Sequence, residues 1–265
     1  MKLIDCFTFY NEIQLLTYRL ALLNDLVDYF IIVEATHTHA GNEKELYFEK
    51  NKDLFSKYLP KIIHIVVDDF QYKQPTIDFS KEQQWDNERF QRKCISRGVD
   101  KLNLLDEDLL MISDLDEIPD PTTLTKIKNN EIKITLNSLE QDLYYYNLNC
   151  QVSEKWTGTK ILTYMKFLEL NVSCNDIRHM KSPIIPNGGW HLSYFGDSTF
   201  IQNKMLNFSH QEYSGDIYRS IDNIKSRLDK NTDPYNRSYI KIKTIAISEN
   251  EYLPPMYTNY LKGFF

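Results

Sequence analysis

Asp108-Leu109-Leu110-Met111-Ile112-Ser113 runs without a break into Asp114-Leu115-Asp116-Glu117-Ile118-Pro119. The first part is a short apolar run of the kind that forms a strand buried on both faces. The second part places three carboxylates within four residues. Packed this closely, they repel one another and hold protons more tightly. A divalent cation removes that penalty. Alternate residues of an extended chain point to the same face, so Asp114 and Asp116 can address one ion. Mn²⁺ or Mg²⁺ suits such oxygen donors, with phosphate oxygens completing the shell. The competing reading is a solvated acidic turn capping the helix expected after Pro119, because Asp-x-Asp alone is common.

Upstream, strand and helix signals alternate. Residues 2–9 are apolar and aromatic and predict a first strand. Residues 11–24 carry Ile13, Leu16, Leu20 and Leu23, the period of an amphipathic helix. Residues 29–33 form a β-branched apolar run that reads as a buried parallel strand. Residues 49–59 read as a helix stopped by Pro60, and residues 61–67 as a strand ending at Asp68 and Asp69. Residues 83–102 predict one long polar helix burying Trp85, Phe90, Cys94 and Ile95. Residues 108–113 give a fourth strand, and Pro119 and Pro121 open a short helix. Such units predict an α/β fold with a mainly parallel sheet. Ligands of these sheets bind beyond the carboxyl ends of the strands. That singles out Glu34, Asp68, Asp69 and the acidic cluster at Asp114, Asp116 and Glu117.

The second half is less regular. Residues 139–149 and 161–167 read as strands, antiparallel and joined by a turn near Gly158. Gly188 and Gly189 precede a strand over 190–195. Helical patterns resume at Ser198 and over 216–229. The tail, with Pro254 and Pro255, reads as an extended segment docking on the body. No repeat, low-complexity tract or long linker interrupts the chain. One domain over 1–265 is the economical organisation, with a regular half at 1–120 and a less regular half at 121–265.

Composition narrows the function classes. Hydrophobic residues make up 42% and charged residues 26% of 265, which excludes a disordered or collagen-like chain. With 31 basic and 37 acidic residues the formal charge is −6, so the footprint of a general nucleic-acid binder is absent. Aromatics reach 13% and serve mainly a strand-rich core. Cys6, Cys94, Cys150 and Cys174 stand far apart with no Cys-x-x-Cys, so reduced, buried thiols of a cytoplasmic protein are expected. No apolar stretch approaches a transmembrane length. Asp5 arrives too early for a signal peptide, so a soluble chain without leader or anchor is expected.

Motifs in order along the chain carry a resemblance. Asp5-Cys6-Phe7-Thr8-Phe9-Tyr10-Asn11-Glu12 is followed by Arg19-Leu20, by Val27 to Glu34, by Thr38-His39-Ala40-Gly41 and by Lys44. Then come Trp85 to Arg92, Asp114 to Pro119, Arg178, Gly188-Gly189-Trp190-His191-Leu192-Ser193-Tyr194-Phe195, Phe208-Ser209-His210-Gln211-Glu212 and Leu253 to Asn259. Together they resemble glycosyltransferase family 17, which includes enzymes adding the bisecting N-acetylglucosamine to N-glycans. The Asn-, Lys-, Ile- and Tyr-rich composition and the missing anchor suit a soluble bacterial or viral member.

The resemblance implies a GT-A type nucleotide-sugar-binding fold, with a nucleotide-binding half at 1–120 and an acceptor-side half at 121–265. It implies an inverting transfer from a UDP-sugar, first of all UDP-N-acetylglucosamine, to a glycan hydroxyl, forming a β linkage. Asp116 is the foremost metal ligand for Mn²⁺ or Mg²⁺. Asp114 would bind the ribose, or the metal through water, and Glu117 would orient its neighbours or cap the next helix. His191 and His210 are candidate histidine ligands. Arg178, Arg92 and Lys44 would face the diphosphate, although Arg92 could instead pair with Glu88 one helical turn away. Glu34 is placed to meet the nucleoside, with a buried helix-capping role as its rival. Glu212 and Asp197 are candidate general bases. Trp156, Trp190 and Tyr194 could stack on a sugar ring or pack in the core. Two other classes compete: a metal-dependent nucleotide phosphate enzyme using the same carboxylates, and a catalytically silent glycan-binding relative. The absence of G-x-x-x-x-G-K-[ST] weighs against a phosphate-loop enzyme.

Overall fold

Alternation along the first strand splits its side chains between two cores. Leu3, Phe7 and Phe9 enter one hydrophobic cluster and Ile4 and Cys6 enter another, as a pleated strand covered on both faces requires. The computed structural model describes residues 1–265. It begins β1 (Leu3–Phe9), α1 (Ile13–Leu23), β2 (Tyr29–Ala35), α2 (Tyr47–Lys50), β3 (Ile62–Val67), α3 (Gln83–Lys93), α4 (Ile95–Val99), β4 (Leu109–Asp114), β5 (Glu117–Pro119) and α5 (Pro121–Lys128). It continues β6 (Leu136–Tyr145), β7 (Cys150–Val152), β8 (Lys160–Thr163), α6 (Tyr164–Leu170), α7 (Cys174–His179), β9 (Ile184–Ser193) and α8 (Ser198–Asn207). It ends α9 (Asp216–Arg219), α10 (Ile221–Lys230), β10 (Ile242–Thr244) and α11 (Tyr257–Tyr260).

The chain is mixed α/β around a ten-stranded sheet in the order β10-β7-β6-β8-β4-β1-β2-β3, with β9 pairing β6 and β5. β3, β2, β1 and β4 are parallel, β8 is antiparallel to β4 and β6, and β9 runs parallel to β6. α1 and α5 cover one face, and α4 and α7 the other. A third cluster, with Tyr146, Tyr194, Ile201, Ile224 and Tyr235, forms the core of the second half. The chain leaves β1 toward β2 on one side and returns as β4 on the other. The crevice beyond Phe9 and Asp114 is therefore a topological switch point, where open α/β sheets bind ligands.

Several expected elements are broken, each for a local reason. The helix expected at 49–59 is one α turn, α2, followed by 3₁₀ turns at Lys52–Phe55 and Leu59–Lys61. Asn51 ends it by donating its side-chain amide to the Tyr47 carbonyl at 2.8 Å. The helix expected at 83–102 divides at Cys94 into α3 and α4. The change of axis lays Gly98 on Ile31, where a Cβ would come within 2.5 Å of a methyl group. The strand expected at 161–167 stops at Thr163, whose hydroxyl accepts from the Lys166 amide and starts α6. β6 and β8 are antiparallel neighbours as expected, but no single turn joins them, because β7 follows β6 along the chain and pairs on its other side. The pattern at 216–229 splits at Ser220, whose side chain caps α10.

The strand expected at 190–195 starts earlier, at Ile184, and takes Gly188 and Gly189 into its middle. Gly189 has φ +134°, and a Cβ there would meet the Ile118 carbonyl at 2.0 Å. Only glycine lets β9 pass this close to β5. Pro121 does open a helix, with Asp120 as the cap accepting from the Thr122 amide, a favoured pairing of cap and first-turn proline. The tail docks as expected, with the Tyr18 hydroxyl donating to the Pro255 carbonyl and the Trp190 indole to the Tyr252 carbonyl. All four cysteines are free and buried. No helix is long and apolar enough to cross a membrane.

Candidate functional site

Arg19 underlies the site. Fully buried on α1, it pairs with Asp5 at 2.6 Å and donates to Ser113 Oγ and to the carbonyls of Asp114, Leu115 and Glu117. One guanidinium thus holds the whole turn after β4 from below. A buried charge is tolerable only when so fully bonded.

Glu117 organises the layer above. Its buried carboxylate accepts from Trp156 Nε1 at 2.6 Å, Thr159 Oγ1 at 2.8 Å, Arg178 Nη1 at 2.8 Å and also Arg178 Nη2. Of its two expected roles, orientation of neighbours is therefore the one present; Asp120 caps the following helix. Arg178 reaches onward to Asp114 at 2.7 Å, and Arg92 meets the same carboxylate at 3.1 Å. Thr8 Oγ1 donates to it at 3.2 Å. Burial alone would push the Asp114 carboxyl up, but the two guanidinium groups outweigh it and hold it well below the usual range.

Asp116 is buried beside Asp114 with a different set of partners. Lys204 Nζ, from α8, lies 3.0 Å from Oδ2, and His191 Nε2, from β9, lies 3.4 Å from Oδ1. Burial again opposes ionisation, and Lys204 and His191 overcome it, so this carboxyl also stays well below its ordinary value. Lys204 also lies 3.4 Å from Glu12. Burial lowers its proton affinity, but the two acids raise it further, leaving a firmly held ammonium. His191 packs its ring 4.8 Å from that of Trp156. Its Nδ1 and the Nε of Arg92 are buried without a hydrogen-bond partner, an unusual condition for native polar groups.

These groups face a cavity of about 370 Å³ at the switch point, within the size range of small-ligand sites. Lys44, Arg92, Asp114, Asp116, Arg178, His191 and His210 all line it. So does every histidine of the chain except His64. Lys44 lies 5.2 Å from the Tyr47 ring centre and 5.6 Å from that of Tyr10; burial lowers its pKa and Glu34 partly restores it. Arg92 makes the expected pair with Glu88 at 3.0 Å in addition to its Asp114 contact.

Other expected residues stand elsewhere. Glu34 is fully buried behind the wall, accepting from the amides of Tyr47 and Phe48, from Lys44 and from His64. This is the rival, helix-capping position. Asp197 caps α8 through the Phe200 amide at 2.8 Å and does not line the cavity. Glu212 also lies outside it, with Oε1 2.6 Å from His210 Nδ1. Asp69 pairs with Arg97 at the surface. Trp190 packs in the core against Tyr252, while Trp156 and Tyr194 reach the cavity.

Asp114, Asp116, His191 and His210 do not gather as three or more metal ligands. Asp116 and His191 alone converge, and this carboxylate–imidazole pair can hold a divalent cation whose remaining positions are filled by ligand oxygens and water. Lys204 was not foreseen, because nothing in the α8 sequence separates it from a solvated helix lysine. Arg19 gave a stronger hint: an arginine among Leu15, Leu16, Leu20 and Leu23 interrupts the apolar side of its helix.

The family model described as Glycosyltransferase family 17 matches residues 1–235. No curated protein matches the chain.

Proposed function

The chain belongs to glycosyltransferase family 17, and from that premise we propose that it transfers a sugar from a UDP-sugar to a glycan hydroxyl with inversion, in a GT-A type fold. N-acetylglucosamine is the first donor sugar to test, on the family likeness. The observation that carries the reading is the pairing at the β1/β4 switch point of Asp114, gripped by Arg92 and Arg178, with Asp116, which faces Lys204 and His191.

The acceptor oxygen attacks the anomeric carbon from the face opposite the diphosphate. The carbon–oxygen bond to the diphosphate breaks, and its electron pair leaves with the phosphate oxygen. Negative charge therefore grows where Arg92, Arg178, Lys204 and Lys44 line the cavity, and fixed cations in a dry site stabilise it. Asp116 and His191 would hold Mn²⁺ or Mg²⁺, which supplies Lewis-acid stabilisation of the leaving diphosphate. Asp114, already bonded by two arginines, keeps those arginines in place and can accept from a ribose hydroxyl. The hydroxyl proton passes through His210, which lines the cavity, to Glu212, to which His210 is bonded.

Thermal stability tests this reading. Ligands that bind only the folded state raise the melting temperature. UDP or a UDP-sugar with Mn²⁺ is expected to do so, and Asp116→Ala to abolish the shift. Because two side chains cannot complete a cation's shell, Mn²⁺ alone is expected to give little shift. Folded protein that ignores every nucleotide sugar would point instead to a silent glycan-binding relative.

A further inference from the structure

A second, open groove of about 640 Å³ adjoins the cavity, and the two share Trp85. Phe79, Gln84, Arg89, Gln211 and Glu212 are among its walls. His210 faces the cavity and Glu212 the groove, and their 2.6 Å contact bridges the partition. The His210 ring stands edge-on to Trp85 with centres 4.6 Å apart. A titratable pair and an indole therefore sit where a molecule in the groove would meet one in the cavity.

The groove differs in chemistry from its neighbour. The cavity wall carries four cations, Lys44, Arg92, Arg178 and Lys204, set against four acids, Glu12, Glu88, Asp114 and Asp116. The groove wall carries one, Arg89, whose Nη1 is already committed to Asp86 at 2.8 Å, and two acids, Glu82 and Glu212. That balance does not favour phosphate or a polyanionic glycan. It offers instead two aromatic rings, the Gln84 side chain and a serine, the Gln211 amide being already bonded to Leu206, Phe208 and Arg219. Phe79 is 38% exposed, so its ring is open to a molecule in the groove. Gln84 is only 4% exposed, yet its amide oxygen finds no donor in the protein, although buried polar groups are normally satisfied. Rings offer a face to the C–H side of a pyranose, while amides and carboxylates take its hydroxyls.

We propose that this groove is the acceptor subsite and that it takes an uncharged pyranose of the acceptor glycan, whose reacting hydroxyl passes Trp85 to reach the His210–Glu212 pair. The assignment of the word acceptor rests on the cavity being the donor site; the binding of a neutral sugar does not.

The test uses the full chain with Phe79→Ala and Arg89→Ala, singly and together. Both side chains are exposed or half-exposed and outside the main cores, so folding is checked simply by melting. Saturation-transfer NMR, with UDP present, probes cellobiose, N,N′-diacetylchitobiose, mannobiose and lactose. At least one is expected to bind the wild type, and the double variant to bind it about tenfold more weakly with UDP affinity unchanged. Neutral-sugar binding that survives both substitutions would overturn the proposal. So would a wild type that binds none of the four, or that prefers a sulfated or sialylated oligosaccharide. A wild type that binds the sugar through Phe79 and Arg89 but no nucleotide would uphold the groove and sink the donor reading of the cavity.

Discussion

At the scale of single residues, the site depends on charges that are buried and fully bonded. Glu117 and Arg178 show this most clearly. Glu117→Ala removes five hydrogen bonds, one of them from the Asp114 amide, and leaves Arg178 short of its main partner. A loss of about 3–5 kcal/mol is expected for breaking a buried pair from one side, measurable by urea unfolding. The same pair has a pH signature. Arg178 overcomes the burial of Glu117 and keeps its carboxyl below the ordinary value of 4.5. A carboxyl depressed on folding stabilises the protein fully above its unfolded value, and that contribution is lost as pH falls through the folded value. Unfolding free energy should therefore hold near neutrality and fall once pH drops below about 4.5, more steeply in the wild type than in Glu117→Gln. The thiols behave in the opposite direction. Burial pushes Cys94 up to about 11 and Cys150 and Cys174 up to about 12. A thiol reagent at pH 8 should label none of them in the folded chain and all of them in guanidinium; labelling of the folded chain would mean that these thiols open to solvent.

At the scale of elements, caps and close approaches explain where strands and helices stop. Asp197 caps α8, the helix that carries Lys204. Asp197→Ala should cost about 1 kcal/mol, while Asp197→Asn keeps a capping side chain and should keep both stability and turnover. A large loss of turnover in Asp197→Asn, with stability intact, would instead restore Asp197 as the catalytic base. In β9, Gly189→Ala places a methyl group against the Ile118 carbonyl in a left-handed conformation. The cost should be about 3 kcal/mol or more, read by thermal melting, and should weaken nucleotide binding because β9 carries His191. The element boundaries that periodicity missed were set by such contacts. Residues 83–102 have a continuous helical pattern, yet the helix divides at Cys94, and the second piece seats Gly98 on Ile31. Asn51 and Thr163 likewise stop elements through single hydrogen bonds that hydropathy does not register.

At the scale of the whole molecule, the cavity belongs to both halves. Thr8, Lys44, Arg92, Asp114 and Asp116 come from before residue 120, and Trp156, Arg178, His191, Lys204 and His210 from after it. The sheet is continuous across that division, with β8 paired to β4. A fragment of residues 1–120 is therefore expected to expose the β4 edge, to aggregate or stay partly unfolded, and to show no UDP binding by calorimetry. A folded, UDP-binding fragment would mean that the second half contributes nothing to donor recognition.

The sequence by itself determined the α/β class, the positions of the first four strands along the chain, the buried thiols, the family and the acidic turn after β4. Those properties are written in local periodicity and in motifs that keep their order along the chain. Only the tertiary structure decided that Asp114 is bound by arginines while Asp116 faces Lys204 and His191, that Glu34 and Asp197 are caps, and that Glu212 stands across the partition from the cavity. Such partnerships join residues up to 88 positions apart, as Lys204 and Asp116 are. They follow from how helices and strands are seated on one sheet, and short-range pattern carries no information about that seating.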